Sequence, residues 1–578
     1  MSTVAGFRPP PVLAAGRPGP GRLLIDQSTY AARELWRSRV ALIFTFLLPL
    51  VWLVLIGIMA GNDAVDSTTG VRVMQFVTPT AAVFGMLFAA YPPTAYSLGQ
   101  AREQGILKRL AGTPLPSWAY LAGRAVAAFL LALAAVVVML LVGVLAYDVQ
   151  IVWRTLPATI VTVSVGIVSF TLLGLAVGAL APSASAAQSI ATGTAVATAF
   201  ASGLFTIGLQ IPAWLDALAG FLPVQPLATA LKDQFNPFLE GSGWDLEALA
   251  VMAAWGGAGL LVAVWALRRT PASARSVAAE QAPAAGRRGT ASARRAGAGR
   301  LGMLVDQVWW ATRASLRDAG VLFFAVAMPV GLYALMAASY PSEGLDGAGR
   351  SFTFVFACSM TVYGIAVLTF ITNPESVATA RDRRVLKRLR GTPLESWQYL
   401  AGRTVAALWL GALIAVLVFG VAIAFFGVRI AGVDGLIAAG LILLLGALTL
   451  AACGYALVAV TTSRRAVATV GLGILLPLAF FSDIFVVGSV PDWMATVGSL
   501  FPLRHFVHAL IAALDPAGTS IQWSGLAVMA AWLIGASLVA IRRFRWEPVG
   551  PAGPDAGPGR RASRWRARRV SGVQERQR

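Results

Sequence analysis

The chain has 578 residues, of which 57% are hydrophobic and only 12% charged, and its mean hydropathy is +0.72. A soluble globular chain carries about 25% charge, so this composition excludes an ordinary water-soluble enzyme and a disordered protein and leaves a polytopic membrane protein. The net charge of +20 is then a question of where the charges sit, and the two cysteines, Cys358 and Cys453, lie in apolar runs and read as small buried hydrophobes.

A bilayer crossing needs about 20 mostly apolar residues. In chain order such runs fall at 41–60, 74–98, 119–146, 157–181, 188–209, 247–267, 320–339, 352–377, 398–426, 436–461, 467–489 and 523–541. All are expected to be helices, because lipid offers no partner for a free backbone N–H or C=O. Residues 1–40 are Pro/Gly-rich and then mixed polar, so no signal peptide is expected there. With both termini on the cytoplasmic side, all but six of the 46 Lys and Arg fall in cytoplasmic segments. The six are Arg72, Arg154, Lys232, Arg350, Arg429 and Arg504. This positive-inside bias makes the basic runs topology signals and contacts for anionic membrane lipids. The basic tail has few aromatics and no recognisable module, which argues against nucleic acid as a partner.

The chain repeats itself. Ala101–Ala128 and Ala380–Ala407 are identical at 20 of 28 positions, at an offset of 279. Asp26-Gln27 recurs as Asp306-Gln307, and LAVMAAW occurs at 249–255 and 526–532. The expected fold is therefore all-α: twelve transmembrane helices as two parallel six-helix repeats. The expected parts are a disordered tail (1–21), a first half (22–267), a flexible cytoplasmic linker (268–300), a second half (301–545) and a basic tail (546–578). Each half opens on an amphipathic stretch. Leu23, Leu24, Tyr30, Leu35 and Trp36 interleave with charge in the first; Leu304, Val305, Trp309 and Trp310 do so in the second. Both suit a helix lying at the headgroup layer.

Between the second and third spans of each half lies a short cytoplasmic helix. Its apolar stripe is Ile106, Leu107 and Leu110 in one copy and Val385, Leu386 and Leu389 in the other. Arg102, Lys108 and Arg109, and Arg381, Lys387 and Arg388, are expected to face elsewhere. Gly112 and Gly391 suit helix ends. Thr113-Pro114 and Thr392-Pro393 suit the start of the next span, with Thr392 and Glu395 at capping-box spacing.

These residues carry a resemblance. The run R-x-x-G-x-L-K-R-L-x-x-T-P-L followed by Tyr-Leu-Ala-Gly-Arg resembles the permeases of ABC-type 2 exporters, among them the daunorubicin-exporter permeases. Polysaccharide exporters and the eukaryotic G-subfamily pumps are more distantly similar. The family's permease is a six-span protein acting as a dimer, so the chain resembles two permeases fused. The resemblance implies that the short helices are coupling helices docked in a groove of a separate ABC ATPase, one copy per helix. By position this covers Arg102, Glu103, Ile106, Leu107, Lys108, Arg109 and Leu110, and Arg381, Asp382, Val385, Leu386, Lys387, Arg388 and Leu389. The second copy departs at Arg383 and Arg384, where the first has Gln104 and Gly105. The resemblance also implies extracellular re-entrant segments at about 211–232 and 490–511 forming an outer gate, marked by Pro212, Trp214, Pro223, Pro491, Trp493 and Pro502.

A Walker A loop needs Gly-Lys-Ser/Thr, and none of the three lysines, Lys108, Lys232 and Lys387, follows Gly. No cofactor is expected in the chain itself; ATP and Mg would belong to the ATPase. No metal site is expected, since the two histidines, His505 and His508, stand alone. Asp483 and Glu375 are the acids at the membrane edge. By family analogy a substrate path runs between the halves, with Phe46, Phe84, Phe88, Phe200, Phe205, Phe354, Phe356, Phe480 and Phe481 as candidate lining. That lining suits a hydrophobic or amphipathic compound. The expected function is export of a drug, antibiotic or lipid-like molecule across a bacterial plasma membrane. The rival is a proton-coupled twelve-span carrier, which wants buried carboxylates that the spans almost lack.

Overall fold

A computed structural model describes residues 19–37, 43–60, 70–113, 115–204, 213–269, 300–339, 349–389, 391, 394–461, 464–485 and 491–543. Every regular element among them is helical. In the first half α1 (Pro20–Arg37) precedes α2 (Leu48–Ala60) and the long α3 (Val73–Glu103). There follow α4 (Ile106–Ala111), α5 (Ser117–Tyr147), α6 (Leu156–Leu180) and α7 (Ala184–Ala201). Two short helices, α8 (Ala213–Phe221) and α9 (Val224–Gln234), lead to α10 (Leu246–Arg269).

The second half repeats the order. It runs through α11 (Arg300–Arg317), α12 (Met328–Ser339), α13 (Phe352–Asp382), α14 (Val385–Leu389) and α15 (Ser396–Phe426). It ends with α16 (Val433–Val460), α17 (Arg464–Phe481), α18 (Asp492–Ser499), α19 (Pro502–Leu514) and α20 (Trp523–Arg543). Both α2 and α12 are entered through a π-helical turn, Ile43–Leu47 and Leu322–Ala327. A further π segment, Val367–Thr372, lies inside α13, where the ring of Pro374 would crowd the carbonyl four residues back.

Among the described residues eight helices are long and apolar enough to cross a membrane, or ten if each of two bent pairs counts as one crossing. The expected count was twelve. In the described residues of the first and eleventh apolar runs lie short apolar helices, Thr45–Ile58 and Val470–Phe481. The fifth, α7, is built of Ala, Ser and Thr in place of Leu and Val, and its composition suits helix contact better than lipid contact. The linker and basic tail lie almost wholly outside the described residues.

Small residues and hydroxyls hold the bundle together, as lipid-embedded helices require. A Cβ on Gly174 or Gly178 of α6 would stand 2.6 Å from the Tyr91 or Ala95 carbonyl oxygen of α3. Ser169 Oγ donates to the Met252 carbonyl at 2.7 Å, joining α6 to α10. Thr449 Oγ1 donates to the Met529 carbonyl at 3.1 Å, joining α16 to α20 in the same way. The halves meet crosswise: α7 packs on α12 and the π turn before it, and α17 packs on α2. Gly193 of α7 receives the Phe323 ring, and Gly320 lies against Ser189.

Candidate functional site

Two short levers stand at one end of the bundle, each following a long helix. The turn into α4 is made by Gly105, in the left-handed region at φ 65°. The turn into α14 is made by Arg384, at φ 57°. Just before each turn an arginine reaches back into the bundle. Arg102 Nη1 donates to the carbonyls of Gly178 and Ala181, both at 3.0 Å. Arg381 donates from Nη1 to Val458 O and from Nη2 to Thr461 O, both at 2.9 Å. These are the orphan carbonyls at the ends of α6 and α16, where a cation also meets the negative end of the helix dipole. Arg381 is only 1% exposed. Arg102 and Arg381, expected to face elsewhere than the apolar stripe, in fact turn into the bundle, and each ties a lever to the end of α6 or α16.

The stripe behaves likewise. Leu386 is fully buried in the second half's core, and Leu389 packs against that core. Leu107 packs on a small cluster formed by Leu98, Leu175 and Ala263, while Ile106 and Leu110 are half-buried and Val385 is exposed. Lys108 and Arg109, and Lys387 and Arg388, are exposed. Glu103 is turned sideways and accepts from the Ala184 N–H at 3.2 Å, at the start of α7. Asp382 is exposed. The outward face of each lever is thus basic, and its apolar residues are mostly the anchor.

Beyond the levers, Gly112 ends α4 and is exposed. Thr113 does not cap the next helix as expected. Its hydroxyl donates back to Leu110 O at 2.7 Å, and α5 starts only after Pro116. In the second copy the capping box is made by Glu395 and Gln398, so Glu395 is the cap and not its partner three residues on. Gly391 is exposed; Pro114, Thr392 and Pro393 lie outside the described residues.

The expected path residues are divided between the two cores, Phe354 and Phe356 in the second half's and Phe84, Phe88 and Phe480 in the first half's. Phe84, Phe88, Phe354, Phe356 and Phe480 are buried. Phe84 and Phe88 meet edge to face at 4.7 Å, with Trp52 6.5 Å from Phe84. Phe200 of the first half packs against the second half's core, and Phe480 of the second lies in the first half's core. Phe46 and Phe481 pack against that first core, and Phe485 bridges from Phe480 (5.4 Å) to Tyr363 (5.0 Å). Phe205 lies outside the described residues.

At the opposite end α18 and α19 meet at a bend of 98°. Trp532 Nε1 donates to Leu500 O at 2.9 Å, and Trp255 Nε1 donates to Phe221 O at 2.7 Å, so the last helix of each half holds its short outer helix. Trp214 is exposed; Trp493 stacks edgewise on Phe481 at 6.0 Å. Pro223 and Pro502 stand at the starts of α9 and α19, and Pro491 caps α18; Pro212 lies outside the described residues. Asp483 sits at the end of α17 with φ 60°. Its carboxylate meets Arg504 Nη1 and His508 Nε2, both at 2.9 Å. His505 Nε2 is 2.8 Å from Ser499 O. The first half has Gly203 at the matching left-handed turn, and Gln225 and Thr229 at the positions of Arg504 and His508. Among the described residues no three His, Cys, Asp or Glu side chains could hold a metal ion. Burial lowers the Lys232 pKa on α9 against a rise from Asp233; burial raises the Asp233 carboxyl, helped by Asp245.

The family model of the ABC-2 type transporter matches residues 28–235 and again 304–514. The chain belongs to the ABC-2 type transporter family. It carries two such units, the first match running from α1 to the end of α9 and the second from α11 to the end of α19. It is a multi-pass membrane permease of the ABC exporter kind, a kind that works with an ABC ATPase. No curated protein matches the chain.

Two features of this ABC-2 permease went unread in its sequence. Near the second lever, Asn373 Nδ2 donates to Tyr455 Oη (2.9 Å), which also pairs with Thr404 (3.0 Å). Arg403 Nε donates to Tyr399 Oη at 2.9 Å, and Arg403 also bonds Ser376. The first half has Thr94, Leu175 and Ala125 where the second has Asn373, Tyr455 and Thr404. At its far end the first half has its own brace. Gln75 Nε2 donates to Gln150 O and Phe235 O at 2.7 Å, and Thr155 donates to Gln234 O at 2.6 Å. The only sequence signal for either is a polar residue inside an apolar run. Glu375, the acid noted at the inner edge, is half-buried one turn and a half before Arg381.

Proposed function

We propose that this permease moves a hydrophobic or amphipathic compound (a drug, antibiotic or lipid-like molecule) out of the cell. The energy comes from ATP, hydrolysed with Mg by a separate ABC ATPase present as two copies, one under each lever. In this reading the chain crosses a bacterial plasma membrane twelve times with both termini cytoplasmic, and the short helices α8 and α9, and α18 and α19, are re-entrant outer segments. The observation that carries the reading is the pairing of anchored levers with α7 and α17, each of which packs on the other half. A lever fixed to the ends of α3 and α6, or of α13 and α16, transmits a push as a rigid body. The crossed pair Phe200 and Phe480 would then separate along an apolar seam, which suits a ligand that partitions into lipid. Asp483, occupied by Arg504 and His508, supports the ATP-driven reading over proton coupling.

The test is transport in liposomes containing the chain and the ATPase that co-purifies with it. ATP-dependent movement of a hydrophobic dye, unaffected by a protonophore, is expected. Movement that ignores ATP and stops with the protonophore would contradict the reading.

A further inference from the structure

The two levers present unequal faces. On α4 and its turn the exposed charges are Glu103, Lys108 and Arg109, with Gln104 and Gly105 in the turn. On α14 and its turn they are Asp382, Arg383, Arg384, Lys387 and Arg388, all exposed. Two arginines therefore replace two uncharged residues. One of them, Arg384, occupies a left-handed position at φ 57° that glycine tolerates and arginine does not favour. A residue held against its backbone preference at the junction of two helices points to a use for its side chain. The anchoring is unequal in the same sense. Leu386 is 0% exposed and Arg381 1% exposed, whereas Leu107 and Arg102 are half-buried. With Leu386 and Arg381 turned into the bundle, the basic residues of α14 and its turn, Arg383, Arg384, Lys387 and Arg388, are left exposed.

We infer that α14 is the dominant docking element, received by a groove of the ATPase subunit that carries carboxylates, while α4 makes a weaker and less salt-sensitive contact. This rests on the exporter reading above. Guanidinium groups on a rigid helix fit carboxylates in bidentate pairs, and their contribution at a wet interface falls with ionic strength. If the ATPase is a pair of identical subunits, its two grooves are the same and the unequal levers make docking sequential, α14 first.

The test uses the full tagged chain captured from its native membrane into neutral-lipid nanodiscs, with the ATPase retained measured against NaCl up to ~0.5 M. Three proteins are compared: the wild type, Arg383→Gln with Arg384→Gly, and Gln104→Arg. The double variant gives the second lever the first lever's turn and relieves the left-handed strain, so an unchanged size-exclusion profile is expected. It should retain ~3–10-fold less ATPase at low salt, with a flatter salt dependence, since each exposed pair contributes modestly. Gln104→Arg should steepen the salt dependence. Equal retention and equal salt slopes in all three would overturn the inference and leave the exporter reading intact. So would a difference present only when anionic lipid is added, which would assign the arginines to headgroups. A wild type that retains no ATPase at any salt would overturn the exporter reading itself, and the inference with it.

Discussion

A Cβ on Gly402 would stand 2.5 Å from the Cβ of Gln307, and Gly123 has the same relation to Gln27. The repeated Asp-Gln and Ala-Gly-Arg motifs are thus two sides of one contact. In each half the amphipathic helix, α1 or α11, crosses the start of the third span, α5 or α15, at a point where only glycine fits. Gly402→Ala should therefore destabilise the second half by ~1–3 kcal/mol through overpacking. Gly420 lies on the same helix with nothing within 4 Å, so Gly420→Ala should instead stabilise by ~0.5–1 kcal/mol. Thermal unfolding in detergent, with a near-neutral result at Gly402, would remove the close crossing from the account.

The arginine clamps should rank by burial. Arg381→Met strips the donors from Val458 O and Thr461 O, at about 1–3 kcal/mol for each buried acceptor left unpaired. Arg102→Met should cost less, because Arg102 is half-buried and water can replace it. The melting points of the two variants measure this; the reverse order would mean that the first lever is the better anchored.

The outer turn of the second half is held by charge. Asp483 and Arg504 are 23% and 17% exposed at the side chain and 2.9 Å apart. A double-mutant cycle with Asp483→Asn and Arg504→Gln should return a coupling of ~0.5–3 kcal/mol. The same cycle on Gly203 and Gln225 variants of the first half should return none.

Lys232 and Asp233 on α9 give pH slopes in separate windows. Burial lowers the Lys232 pKa from 10.5, so the folded chain binds fewer protons than the unfolded chain below that value. Stability therefore rises as pH climbs toward 10.5, and the charged form costs stability at neutral pH. For Asp233 the folded pKa is raised above 3.8, the folded chain binds more protons, and stability falls as pH rises past 3.8. Lys232→Met should raise the melting point at neutral pH and abolish the alkaline slope, and Asp233→Asn should abolish the acidic one. Unchanged slopes in the two variants would place both groups in water.

The repeat, the levers and the helical class were legible because they rest on composition, period and offset, which a single chain displays twice. The inward turn of Arg102 and Arg381 was not, since an arginine at a helix end reads as a topology charge until the neighbouring helix end is placed beside it. Thr113 and Glu395 were misassigned because two helix ends lie within seven residues, and a hydroxyl or carboxylate there can serve either. The crossing of Phe200 and Phe480 depends on how the halves meet, which no local pattern encodes. The Ala/Ser/Thr character of α7 hid a packed helix inside what read as a lipid span.

The central claim is that the levers hand work from an ATPase to this bundle. The most direct measurement is capture of the tagged full chain from its native membrane in mild detergent, with identification and counting of what accompanies it. The account predicts a separate Walker-motif ATPase at about two copies per chain, lost when Lys108, Arg109, Lys387 and Arg388 are all changed to Glu while the chain stays folded. Recovery of the chain alone, together with transport that follows the proton gradient, would contradict it.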